Sequence, residues 1–183
     1  MGSERERVLA VAIWAAAALS ACAAGPYGYS RTYAPLDPER AAAEGAHEYD
    51  PVMAKRDPDL WKVRKVTLFG VVERRDEKPG GASLLLSVRT LETRNACESS
   101  DESSCRTTVS DREDDKLRAV VRFAQPQDKD GAESLGVGSL VRVVGKLGDP
   151  DPSDARPVLT ASYYRHWPRG YWRGAGAKSV LRR

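Results

Sequence analysis

Five stretches of alternating apolar and polar residues between Val66 and Tyr164 constrain this chain more than any other feature. A period of two puts every second side chain on one face of a strand, so each stretch predicts a half-buried β-strand. Val66, Leu68, Gly70 and Val72 alternate with Thr67, Phe69 and Val71, and Gly70 is read as a bend or bulge. Lys78-Pro79-Gly80-Gly81 supplies a turn. Leu84, Leu86 and Val88 then alternate with Ser83, Ser87 and Arg89, in a strand that could run to Thr93. Leu117, Ala119, Val121 and Phe123 alternate with Arg118, Val120 and Arg122. Gln125–Leu135 is a polar link with room for one helical turn. Ser139–Leu147 and Pro157–Tyr164 complete the set, separated by Gly148-Asp149-Pro150-Asp151-Pro152.

The predicted fold class is all-β, a small Greek-key barrel of five to six strands. Five strands with a longer link between the third and fourth resemble the oligonucleotide/oligosaccharide-binding (OB) barrel. Leu135–Gly145 looks like the entry to a fourth strand of such a barrel, with Gly145 easing the bend. A sandwich of other topology is the competing arrangement. The core must be modest, because only two Phe are present and Val and Leu carry the apolar load.

Val8–Leu19 is a run of twelve apolar residues, well short of the ~20 needed to span a bilayer and typical of a signal-peptide core. Leu19-Ser20-Ala21-Cys22 follows, and it resembles the lipobox of bacterial lipoproteins. The n-region is less basic than usual, since Glu4 and Glu6 offset Arg5 and Arg7. The resemblance implies cleavage before Cys22, a thioether-linked diacylglycerol on its sulfur and acylation of the new amine. It divides the chain into a signal peptide at 1–21, a lipidated tether at 22–58, a barrel at 59–172 and a basic flexible tail at 173–183. The Gly/Pro/Tyr-rich stretch from Ala23 to Pro35 reads as poorly ordered spacer. One or two helical turns are expected from Asp37-Pro38-Glu39 to Gly45, outside the core.

Cys97 and Cys105 bracket the polar stretch Glu98–Ser104, and an exported compartment permits disulfides. No His or third thiol lies nearby to complete a metal site, so a disulfide is the preferred reading. The order of lipobox, strand, long variable loop, Arg142-Val143-Val144-Gly145-Lys146-Leu147, and Pro157-Val158-Leu159 leading to Trp167-Pro168 is similar to the Slp family of starvation-inducible outer-membrane lipoproteins. The similarity covers roughly residues 63–168. The Cys97–Cys105 insertion and the basic tail depart from it, and the family offers no catalytic residues to carry over.

Enzyme motifs are scarce. His47 and His166 flank the strands without a metal-binding or catalytic pattern, and Gly136-Val137-Gly138 is a turn, not a dinucleotide loop. The acidic groups at 98–102, at 111–115 and at 128–130 match no calcium loop and read as solvated charge. Residues 165–183 contain five Arg and one Lys with no acid. Within them Arg165, Trp167, Arg169, Tyr171, Trp172 and Arg173 form a candidate surface for a glycan, an anionic lipid or nucleic acid. For Tyr163 and Trp167 the preferred reading is that they close the barrel end, with a weak surface-contact role for Arg169–Arg183. A net charge of +3 is too small to imply nucleic acid on bulk charge, and that partner is disfavoured.

The expected function is therefore a non-enzymatic binding or assembly module of the bacterial envelope. It would be anchored through lipid on Cys22 in the outer membrane, facing the periplasm, with a protein or glycan partner and neither cofactor nor metal. On the OB barrel's usual ligand face the candidates are Arg89, Arg118 and Arg122, with the Cys97–Cys105 loop beside them. An envelope hydrolase is the remaining alternative.

Overall fold

A computed structural model describes residues 27–176. The helices and strands before the barrel are α1 (Asp37–Ala43), β1 (His47–Glu48), α2 (Pro51–Arg56) and α3 (Pro58–Val63). The barrel is built from β2 (Lys65–Lys78), β3 (Gly81–Arg89), β6 (Asp115–Arg122), β7 (Leu140–Leu147) and β8 (Val158–Trp167). Outside it lie β4 (Ala96–Cys97), β5 (Cys105–Val109) and β9 (Trp172–Gly174).

The alternation in sequence becomes an inside and an outside. Val66, Leu68 and Val72 of β2, Leu84 and Leu86 of β3, Leu117 and Ala119 of β6, Val141 and Val143 of β7 and Leu159 of β8 fill one buried core. The sheet order is β2-β3-β6-β8-β7, and β7 pairs back with β2 to close the barrel. All neighbours are antiparallel except β6 and β8, which run parallel. In barrel order this is strands one, two, three, five, four, one, the topology of the OB fold. β1 adds a short parallel strand along β2. The link between the third and fourth barrel strands carries only a 3-10 turn, Pro126–Asp128.

Closure needs irregularities, and one is not where the sequence puts it. Gly70 stays in the regular ladder, opposite Val88 and Val141; its missing side chain makes room for Leu86, whose Cβ lies 3.0 Å from where a Gly70 Cβ would be. The bulge falls between Val72 and Arg74. It reverses the parity of the strand, so Arg75 pairs with core-facing Leu84 and caps the barrel end. Its guanidinium donates to Leu135 O at 2.9 Å and Lys129 O at 2.8 Å and sits 5.1 Å from the Phe123 ring centre. Gly145 does mark a register shift between β7 and β8. A Cβ there would stand 2.1 Å from Thr160 O, so the strands could not approach this closely with any other residue.

The expected spacer is folded from Tyr27 onward. Outward-facing Phe69, Leu140 and Trp167 would expose large apolar area, and Tyr27 and Tyr33 cover them, with Val109, Leu91, Tyr171 and Trp172 completing a second core. Tyr33 meets Phe69 edge-on, with ring centres 5.3 Å apart. α2 and α3 each begin at an Asp-Pro pair: Asp50 accepts from Val52 N and Met53 N, and Asp57 from Leu60 N. They bury Trp61 against Tyr49, with ring centres 6.0 Å apart and planes at 90°.

Candidate binding surfaces

The usual OB ligand face is the outside of the second and third strands with the adjoining loops. Here that face is β3 and β6, and its cations already have partners. Arg118 contacts Asp154 at 2.7 Å, Asp151 at 3.0 Å and Asp76 at 3.5 Å, and its side chain is 9% exposed. The Arg118 hydrogen bond holds the Asp154 carboxyl below the usual carboxylate range. Lys116 bridges Glu73 at 2.7 Å and Glu113 at 3.7 Å, while Arg89 donates to Asp111 O. Two of the three expected cations, Arg89 and Arg118, are thus bound to other parts of the chain; Arg122 is exposed. The loop carrying Asp151 and Asp154 folds back sharply, with Ala155 at φ 55°. Asp151 lies within the turn after β7 and Asp154 two residues beyond it, and nothing in the sequence there marks a partner on β6.

Part of the aromatic-basic segment is internal, which corrects the surface reading of Arg165 and Trp167. Trp167 is fully buried; its indole N–H donates to Tyr27 O at 2.9 Å. Arg165 is buried and donates to Glu39 at 3.0 Å, with its guanidinium 4.5 Å from the Trp167 ring centre. Trp172 donates to Gly138 O at 2.9 Å and Arg173 pairs with Glu98 at 2.6 Å. β9 pairs in parallel with β5, so residues 172–174 are strand and the flexible tail does not begin at 173. Arg169 is exposed, and Tyr171 is half-buried against Tyr27 with ring centres 4.4 Å apart.

Glu39 organises this region. It is wholly buried and accepts from Arg142 at 2.7 Å, Arg165 at 3.0 Å, Leu36 N at 3.1 Å and the Tyr33 hydroxyl. Burial alone would raise its pKa, but these hydrogen bonds outweigh it and hold the carboxyl below its ordinary value. The capping position explains the direction of the side chain, which reaches back to the helix's first free N–H.

Tyr49, Ala54, Trp61, Leu147, Pro150 and Pro157 line an apolar cavity of about 220 Å³ between α2, α3 and the loop after β7, with Lys55 and Lys62 at its edge. No cluster of three or more His, Cys, Asp or Glu among the described residues could hold a metal ion, and no described helix is long and apolar enough to cross a membrane. Cys22 and the run before it lie outside the described residues.

Cys97 and Cys105 are bonded and form facing residues of the β4–β5 hairpin. Closing so short a loop restricts the unfolded chain, so reduction should lower stability by about 2–3 kcal/mol. Urea unfolding with and without reductant measures this. Thiol labelling of the unreduced, denatured protein should find neither cysteine free.

No family model and no curated protein matches the chain. Among solved structures, a chain of the S. pombe Stn1-Ten1 complex aligns at 16% identity over 57% of this chain, with a TM-score of 0.29. The aligned part spans 58% of that chain. The protein is an OB-type Greek-key barrel by its own strand order and register, with a helical and an extended segment wrapped on its outside.

Proposed function

We propose that this protein is a lipid-anchored lipoprotein of the bacterial envelope, held to the outer membrane through Cys22 and acting as a binding or assembly module without catalysis. The observation that carries the anchor is Leu19-Ser20-Ala21-Cys22 closing a twelve-residue apolar run. The Cys97–Cys105 bond suits an oxidising compartment, as the periplasm is. The loose likeness to the Slp lipoproteins belongs to the same reading. An apolar cavity edged by two lysines favours recognition of a partner over chemistry. Recognition of a glycan or anionic lipid through the C-terminal segment keeps only Arg169 as a fully exposed cation among its six expected residues. Nucleic acid is disfavoured for the same reason, and an envelope hydrolase has no constellation of residues behind it.

Intact-mass measurement on protein from native membranes should show loss of residues 1–21 and addition of diacylglycerol. Cys22→Ala should shift the protein from the detergent phase to the aqueous phase. A Cys22→Ala protein that still partitions wholly into detergent would overturn the anchor. A photo-cross-linking side chain at Leu60, beside the apolar cavity, should give a discrete adduct in intact envelopes; its absence in both growing and starved cells would count against a binding module.

A further inference from the structure

The chain ends and the barrel axis together set which end of the molecule meets the membrane. Tyr27, where the described chain begins, is fixed by the Trp167 indole and by Tyr171. Both sit at the end of the barrel where β7 starts, since Leu140 pairs with Trp167. The same end carries the Gly136-Val137-Gly138 turn, pinned to β2 by Gly138 N→Val72 O at 2.8 Å and Val72 N→Ser139 O at 2.9 Å. α2 and α3 stand at the other end of β7, where Leu147 pairs with Leu159 and lines the cavity with Trp61. Seven residue steps along a strand cover about 23 Å, roughly 18 Å along the axis of a barrel whose strands tilt by about 40°, and the helices beyond Leu147 add about 10 Å more.

Composition alone does not choose between them. The far end is apolar too, with Val52 72%, Met53 44%, Leu60 39% and Val63 71% exposed. Chain length chooses. From Cys22 to Tyr27 is five residues, which reach at most about 17 Å when fully extended. That suffices to hold the Tyr27 end at a lipid surface. It does not suffice to carry the chain past the barrel and bring the far end there.

The near end also has the chemistry of an interface. Val137 is 63% exposed at the tip of its turn. Around it are Trp172, bonded to Gly138 O, and Arg169, whose Cδ lies 3.2 Å from the Cβ position of Gly138. Tyr171 and Tyr27 flank this group, with the Tyr171 hydroxyl on Glu133. Aromatic rings with one polar edge beside a cation and an exposed apolar tip suit the boundary between headgroups and acyl chains.

We infer that the barrel docks end-on against the lipid bilayer through Val137, Tyr27, Tyr171, Trp172 and Arg169, leaving α2, α3 and the cavity of Trp61 pointing away from the membrane. This rests on the anchor at Cys22. The partner-facing end is then the helical one.

The test uses the full lipidated chain carrying either Val137→Cys or Val52→Cys, labelled with an environment-sensitive fluorophore. Both sites are exposed, so neither change removes a core contact. The protein is reconstituted in phosphatidylethanolamine–phosphatidylglycerol vesicles containing brominated lipid. Quenching should be at least threefold stronger at position 137 than at position 52. Equal quenching, or stronger quenching at 52, in protein that floats with the vesicles would overturn the docking while leaving the anchor intact. Unlabelled wild-type protein that lacks diacylglycerol by mass and fails to float would overturn the anchor, and the docking with it.

Discussion

Replacing Glu39 with alanine is expected to lower the stability of this protein by about 3–5 kcal/mol, because it leaves two inward-pointing guanidiniums without their shared carboxylate. Arg142 and Arg165 both bond Glu39, and their side chains are only 14% and 6% exposed. Neither can turn into water without unpacking Tyr33, Phe69 or Trp167, over whose rings they lie. The corresponding fall in melting temperature for a domain of this size is about 6–20 °C. Glu39→Gln keeps the shape and part of the hydrogen bonding but loses the charge, and should fall between the two. A loss below 1 kcal/mol for the alanine variant, by urea unfolding, would mean that the cluster is not what holds the N-terminal segment down.

The same residue sets a pH dependence. Its folded pKa is depressed below the ordinary value of 4.5. The unfolded chain therefore takes up the proton first as pH falls. The stabilisation is complete above about pH 5 and is lost progressively as pH drops through the folded value. Wild-type stability should decline on acidification below pH 4.5, and the part of that decline owed to Glu39 should be missing from Glu39→Gln. An identical acid profile in both proteins would contradict the assignment.

How much of this could be read beforehand follows from the physics of each signal. The barrel strands were legible because one face is dry and the other is not, so Val66-Leu68-Val72 and Leu84-Leu86-Val88 alternate; the cysteine pair was legible from its spacing and its lack of other ligands. The helices α2 and α3 were missed, although Asp50-Pro51 and Asp57-Pro58 repeat the Asp-Pro signal recognised at Asp37-Pro38. The covering segment was misread for a deeper reason. Tyr27 and Tyr33 pack on the barrel's outside as separate rings while Tyr29 lies under the Arg106 guanidinium, so the three show no period of one helix or strand face. Glu39 in an acidic first turn looks like any surface glutamate, and only the fold brings Arg142 and Arg165 to it from positions more than a hundred residues away. Within the aromatic-basic run, Arg165 and Trp167 are not surface residues because alternation along β8 sends them outward from the barrel, under the covering segment rather than into water.

Trp167 provides the sharpest test of that second core. A stacking residue on a binding surface could be truncated with little effect on folding; a core indole could not. Trp167 has no exposed surface, and its ring lies 5.9 Å from Tyr33 and 6.1 Å from Phe69 between ring centres. Trp167→Ala should therefore cost about 3–5 kcal/mol. It should also release the segment beginning at Tyr27, since the indole N–H that holds Tyr27 O is lost with it. Trp167→Phe separates the two contributions: most of the packing stays, the donor goes, and the partly buried Tyr27 carbonyl left without it sets a smaller cost of about 1 kcal/mol. Hydrogen exchange should show faster exchange at residues 27–36 in both variants, with the barrel strands β3 and β6 unchanged in Trp167→Phe, because their side chains belong to the other core. If Trp167→Ala unfolds at the wild-type urea concentration, the outer layer is an accessory to the barrel, and the segment from Tyr27 to Pro35 is held by other contacts than the ones described.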